Sequence, residues 1–298
     1  MSDQPLVSII LPTFNRANVV GRSIQSVLSQ TYRHFELIIV DDGSNDTTPD
    51  VVGSFDDGRI RYIRLAQNQG SSAARNHGLD AATGDIITFQ DSDDRWLDGK
   101  LTADVAALTA AGGRVGVCVC SHRHIKGGKT RTVSRPPGEV SGDEIIRRLL
   151  MGDAYSTQTL AVRKTAMDSI DGFDVTLPRR QDWELCLRLA QKWSFVFVSD
   201  VQVIIEHSSD SLTSDPWTFI EATGKIRARH PHLFEKHRPG YSIQLYNAGK
   251  YLALAGHGKD GLDYATRALG VDPLNWRAYV LIPAILTRSV PLLRRFRA

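Results

Sequence analysis

The sequence predicts an α/β fold, a mostly parallel sheet flanked by helices, followed by an all-helical extension. Three observations predict it. Over the first 115 or so residues, short β-branched runs alternate with stretches of helical spacing. Most of those runs are dominated by apolar residues, the pattern of parallel strands covered on both faces. Beyond about residue 240 the strand signal stops and only helical spacing remains.

The elements follow in order. Leu6–Leu11 is a β-branched run ending at Pro12, and 16–30 has helical spacing through Val19, Ile24, Val27 and Leu28. Phe35–Val40 is a second strand that runs out onto Asp41 and Asp42. A short helix through Val51 and Val52 precedes a third strand near 59–64, and 71–82 reads as a helix. Ile86–Phe89 is the fourth strand. In such sheets ligands bind beyond the carboxyl ends of the strands. Three of these ends are polar: Thr13-Phe14-Asn15, Asp41-Asp42 and Asp91-Ser92-Asp93.

The middle is mixed. Val115–Cys120 reads as a strand, Gly127-Gly128 as a hairpin turn, and Pro136-Pro137-Gly138 as a break. A helix covers 145–150 and a short strand 159–162. A loop spans 169–181, a helix opens at Asp182, and 195–198 and 201–205 are strands. Together these suggest one domain over 1–235, with a nucleotide-binding half to about 115 and an acceptor half from 116. Residues 236–298 form the helical extension. Its spacing resembles a single tetratricopeptide-type hairpin, which cannot bury its own face.

Composition narrows the function. At 42% hydrophobic and 23% charged the 298-residue chain is ordinary for a globular protein, and a net charge of +3 gives no case for nucleic acid. Cys118, Cys120 and Cys186 show no CxxC spacing, which fits buried thiols in a reduced, cytoplasmic protein better than disulfides or zinc. The first residues lack the basic and apolar regions of a signal peptide, and no apolar run reaches membrane-span length. No acidic residue follows Asp272, while Arg277, Arg288, Arg294, Arg295 and Arg297 gather among leucines and isoleucines. Such an end suits the inner face of an anionic membrane. A capping helix with a solvated basic fringe accounts for it equally.

The most informative segment is Asp91-Ser92-Asp93-Asp94, three carboxylates delivered onto one turn by a strand. Clustered carboxylates repel, so a fold keeps them wet or neutralises them with a cation. A hard divalent ion accepts one or two carboxylates plus substrate phosphates, making this a candidate metal–diphosphate turn.

Five segments in order, 7–16, 39–47, 68–76, 89–96 and 181–185, resemble the inverting family 2 glycosyltransferases of GT-A fold. The resemblance covers roughly 5–210 and leaves the C-terminal helices outside. It implies a nucleotide-sugar donor, a UDP-sugar by preference, and a hydroxyl-bearing sugar or lipid-linked acceptor such as a surface-polysaccharide precursor. It also implies a divalent metal, Mg²⁺ or Mn²⁺. Pro12, Thr13, Phe14 and Asn15 would hold the nucleotide, with a base against the aromatic face. Asp42 would accept from the uracil ring N–H, while Asp41 caps the following turn. Arg75 would meet ribose or phosphate, and Asp91 and Ser92 the ribose side. Asp93 would be the direct metal ligand, joined by His207 after the last core strand. Asp182 occupies the position of the catalytic base, although a carboxylate opening a helix also serves as a cap. The Gly172 loop resembles the family's acceptor-side turn and suits a lid.

Two other classes compete. A sugar nucleotidyltransferase needs a Gly-rich loop after the first strand, where this chain has Pro12-Thr13-Phe14-Asn15-Arg16. A non-catalytic scaffold on the same fold has no use for Asp93 and Asp182 together.

Overall fold

A computed structural model describes residues 4–206 and 215–287. The chain opens with β1 (Val7–Thr13), α1 (Val20–Leu28), β2 (Phe35–Asp41), α2 (Thr48–Gly53), β3 (Ile60–Arg64), α3 (Ser71–Ala81) and β4 (Ile86–Phe89). A two-residue strand, β5 (Arg95–Trp96), follows the acidic turn, and α4 (Lys100–Ala110) leads to β6 (Val115–Lys126). Next come β7 (Lys129–Val133), β8 (Gly138–Val140), α5 (Gly142–Leu150), a 3-10 turn (Thr157–Thr159) and β9 (Leu160–Arg163). Then α6 (Lys164–Met167) and α7 (Gln181–Ala190) lead to β10 (Ser194–Glu206). The remaining helices are α8 (Pro216–Arg229), α9 (Pro231–Lys236), α10 (Arg238–Leu254), α11 (Gly258–Val271) and α12 (Trp276–Leu286).

The strands form one mixed sheet, in the order β3-β2-β1-β4-β9-β6-β10-β5, with β7 on β6 and β8 on β10. β1 pairs in parallel with both β2 and β4. β9 runs antiparallel to β4 and to β6, so β6 and its parallel partner β10 run in the direction of β4. The carboxyl ends of β1, β2, β4, β6 and β10 therefore share one edge. Every residue of β1 is buried, Ser8 and Thr13 with the apolar ones, as a strand covered on both faces requires.

The sequence splits 195–205 into two strands, whereas the structure carries one, β10, with register shifts between Val198 and Val203. Bulges keep both halves paired to β6 through the break in apolar pattern at Ser199-Asp200. The sequence reading also passes over β5 and α4. Trp96 of β5 is a packing residue, as its place beside the acidic turn suggests: it is buried in the core below the turn, with the Lys100 ammonium 4.6 Å from its ring.

The described chain divides into two compact units, 4–142 with 155–175 and 181–206, and 143–154 with 176–180 and 215–287. The second unit thus begins upstream of residue 236. Within it, Gln244 donates to the Leu150 carbonyl at 2.6 Å. α10 and α11 cross closely at two glycines: a Cβ on Gly249 would stand 2.8 Å from the Gly261 carbonyl oxygen. α12 completes a small core of Leu245, Tyr246, Ala265, Ala268, Ala278, Leu281, Ala284 and Ile285.

Candidate active site

The ends of β1 and β2 are laced together. The Asp42 N–H donates to the Thr13 carbonyl at 2.8 Å. Asn15 sits at φ +52°, a left-handed conformation that Asn tolerates better than most residues. From there its N–H donates to Ser44 Oγ and its Oδ1 accepts from the Asn45 N–H, both at 2.9 Å. Pro12 and Thr13 are buried, while the Phe14 ring is 39% exposed at the strand end, open to a flat partner.

The two acids after β2 divide their work. Asp41 accepts from the Ser44 N–H, the expected cap of the following turn, and from the Tyr62 hydroxyl at 2.6 Å. Asp42 accepts from the Gln69 and Gly70 N–H groups, each at 2.8 Å. Its carboxylate thus shapes the turn that opens α3, and each oxygen keeps a lone pair for another donor.

Arg75, on α3, is buried rather than a surface helix residue, and it donates to Asp91 at 2.7 Å. The acidic turn itself is fixed from beneath. Ser23 of α1 donates to the Asp91 carbonyl at 2.9 Å, and the Gln90 side chain spans the turn to the Asp94 carbonyl at 2.8 Å. Ser92 is buried, and Asp91 and Asp93 are partly exposed.

Asp94, to which the sequence assigns no role, is 3% exposed and accepts from Gln158 at 2.6 Å and from the Glu206 N–H at 2.9 Å. It thereby ties the turn to the carboxyl end of β10. Burial, then the charges of Asp91 and Asp93, push its carboxyl up to about 8. Glu206 also bridges Arg22 of α1 and Arg95 of β5. His207 lies outside the described residues.

Asp182 stands at the start of α7, partly exposed, and accepts the Trp183 N–H at 2.7 Å. That contact occupies one of the helix's first-turn N–H groups. The preceding loop is fastened rather than free. Gly172 sits at φ +57°, and a Cβ there would lie 2.6 Å from Asn76 Oδ1. The Asn76 side chain grips the Phe173 backbone in both directions, donating at 2.9 Å and accepting at 2.8 Å. Arg188 of α7, paired to the buried Glu184, donates to the Gly172 carbonyl at 2.6 Å. The left-handed glycine thus sits in a turn held from both sides. Asn76 adjoins Arg75 in the sequence and is found from that neighbourhood; nothing in the sequence flags Gln158.

Thr13 Oγ1, Ser72 Oγ and Arg75 Nε are buried without a hydrogen-bond partner. Buried polar atoms are seldom left so, and these three stand at the end of β1 and in the first turns of α3, where a polar ligand would satisfy them. Among the described residues no three His, Cys, Asp or Glu side chains gather closely enough to cage a metal. A hard ion shared with a diphosphate needs only one or two carboxylates, and the oxygens of Asp93 and Asp91 fit that requirement.

The family model Glycosyl transferase family 2 matches residues 8–169, more than half of the chain, and the chain belongs to that family. Its fold is the mixed GT-A sheet with flanking helices and a further set of C-terminal helices. Among relatives, it is 42% identical over 106 residues to the UDP-Glc:alpha-D-GlcNAc-diphosphoundecaprenol beta-1,3-glucosyltransferase WfgD of Escherichia coli. That match takes in 36% of this chain and 42% of the relative, and the chain spans similarly limited shares, 40%, of other curated relatives. The S. aureus TarS 1-349 complex with UDP-GlcNAc superposes with a TM-score of 0.62 at 18% identity, covering 95% of this chain and 92% of that one. The Pyrobaculum calidifontis mannosyltransferase PcManGT, in complex with GDP-Man and Mn2+, gives 0.66 at 17% identity, covering 99% and 84%.

Proposed function

We propose that this protein is a metal-dependent inverting glycosyltransferase that moves a sugar from a UDP-sugar to a hydroxyl of a lipid-linked or surface-polysaccharide precursor. The observation that carries the reading is the convergence, on one sheet edge, of buried unpartnered polar atoms with a carboxylate-rich turn. Phe14 offers its face to the base, and Asp42 uses its remaining lone pairs for the uracil N–H. Arg75, backed by Asp91, meets ribose or phosphate. Asp93, with His207, would hold Mg²⁺ or Mn²⁺, which supplies positive charge to the departing diphosphate. Asp182 takes the proton of the acceptor hydroxyl as that oxygen bonds to the anomeric carbon and the carbon–oxygen bond to the diphosphate breaks. One in-line displacement inverts the centre.

The names of similar proteins support the parts. WfgD takes UDP-Glc and a diphosphoundecaprenol-linked acceptor, TarS binds UDP-GlcNAc, and PcManGT carries GDP-Man with Mn2+. A lipid-linked acceptor would bring the enzyme to a membrane surface, the inner face on this reading. Among the described residues no helix is long and apolar enough to cross a membrane. The arginines from Arg288 onward, part of the basic end the sequence offers, lie outside the described residues.

The test is a panel of UDP- and GDP-sugars with Mn²⁺, Mg²⁺ or chelator, with and without an undecaprenyl-diphosphate-linked sugar, reading released nucleoside diphosphate. Release from a UDP-sugar that needs both metal and acceptor is expected. Equal release in chelator, or none from any donor, overturns the reading.

A further inference from the structure

The outer face of α12 breaks the rule that a surface helix turns polar residues to water. Its inner positions, Ala278, Leu281, Ala284 and Ile285, are buried in the small helical core. Its outer positions follow at intervals of three and four: Trp276, Tyr279, Pro283 and Leu286. Trp276 is 63% exposed, Tyr279 56% and Leu286 65%, and Leu274 just before the helix is 87% exposed. One side of an eleven-residue helix is thus an aromatic and aliphatic stripe open to solvent.

From Trp276 onward the charge in the sequence has one sign. Arg277 borders the stripe, with its guanidinium 5.9 Å from the Trp276 ring centre. In sequence no acid follows Asp272, while four more arginines do: Arg288, Arg294, Arg295 and Arg297. Trp and Tyr are the side chains that favour the headgroup region, and arginine is drawn to anionic lipid. A second copy of the chain is the weaker occupant, because a two-fold contact would set the two arginine-bordered edges against each other.

We infer that the Trp276–Tyr279–Leu286 face of α12 docks on an anionic lipid surface. The purpose rests on the proposed lipid-linked acceptor; the binding itself needs neither donor nor metal. The full chain is floated with phosphatidylcholine vesicles with or without phosphatidylglycerol. Binding to the anionic vesicles alone, weakened by salt, is expected. A W276S/Y279S/L286S variant should bind at least about tenfold more weakly with an unchanged melting temperature, since none of the three side chains is buried. As a check free of refolding concerns, the emission difference between the chain and Trp276→Ser should shift to the blue with anionic vesicles. Three outcomes overturn the inference. They are full binding by the triple variant, a concentration-dependent dimer that the same variant abolishes, and loss of binding only on removing 288–298. A chain that turns over donor yet ignores vesicles fails this inference and leaves the proposed reaction standing.

Discussion

Arg75 of α3 and Asp91 of the acidic turn are joined by a 2.7 Å ion pair, with the guanidinium 5.5 Å from the centre of the Phe173 ring. One cation thus touches the helix, the turn and the loop that leads to α7. Removing it takes the ion-pair partner from Asp91 in a turn that also carries Asp93. Asp91 keeps partial solvent contact, so the cost falls below the 3–5 kcal/mol typical of a fully buried pair. Arg75→Ala should lose about 2 kcal/mol in urea unfolding and weaken UDP titrations by about tenfold. Arg75→Lys should restore part of the stability, since the pair is a single contact, but little of the UDP affinity, because a point charge lacks the second donor that Arg75 Nε would offer a ligand. In a double variant with Asp91→Asn the losses should fall short of their sum; strict additivity would mean the pair does not act as a unit.

Asp93 and Asp182 should fail differently. Asp93→Ala is expected to remove metal-dependent binding of a UDP-sugar in calorimetry. Asp182→Asn keeps a side-chain oxygen to accept the Trp183 N–H, so α7 should start normally. Donor binding should then be intact while transfer falls by ~10²-fold or more, the scale of general-base catalysis. If the Asn variant transferred as fast as the parent chain, Asp182 would serve the helix start alone and the base would lie elsewhere.

The strand ends are legible because a parallel sheet gathers them by topology: apolar runs at 6–11, 35–40 and 86–89 determine which polar residues meet. Side-chain direction is not. Asp42 turns to the α3 backbone, Asp94 reaches Gln158 and Glu206 across 64 and 112 residues, and Asn76 grips Phe173 across 97. Contacts of that separation leave no periodic trace. Gly172 shows the same limit. A glycine signals freedom of φ, but only its neighbours decide between hinge and clamp.

The Gly172 turn yields its own test. Alanine at φ +57° is strained, and its Cβ would strike Asn76 Oδ1. Gly172→Ala should destabilise by about 2 kcal/mol. Asn76→Ala, which strands two backbone groups of Phe173, should cost about 1–3 kcal/mol. Thermal unfolding with and without UDP would separate this from a lid role: a hinge variant would change turnover while leaving the melt in place.

Acid should weaken the fold through β6. Burial, then the charges of His124, Arg135 and Arg131, hold His122 down at about 4, against an ordinary 6.5. Its Nε2 stands 3.1 Å from that of His124. Above pH 6.5 both folded and unfolded chains carry it neutral. As pH falls from 6.5 to 4 the unfolded chain gains a proton that the folded chain refuses, so stability drops across that window and levels off below it. The loss attributable to His122 is up to about 3 kcal/mol. Urea midpoints from pH 7 to 4 should fall less steeply for His122→Leu than for the parent chain, and parallel curves would assign the acid sensitivity to other groups.

Lys100 and Asp104, four residues apart on α4, are both buried against the sheet. Lys100 also donates to Thr88 Oγ1 at 3.2 Å, and the Cys118 thiol donates to Asp104 at 3.6 Å. Burial pushes the neighbouring Cys120 thiol up to about 12 and that of Cys118 upward as well, leaving both neutral and poorly reactive. A buried pair returns little net stability, but a lone buried charge is expensive. Lys100→Ala should therefore cost about 3–5 kcal/mol. Lys100→Met with Asp104→Leu should be neutral or stabilising by about 1–4 kcal/mol, read by urea unfolding. Since Thr88 lies on β4, which carries the acidic turn, the same double variant should also be assayed for donor binding. Unchanged affinity would show that the pair specifies packing alone. Weaker binding with undiminished stability would mean that the buried ammonium holds β4, and with it Asp91 and Asp93, in position for the donor.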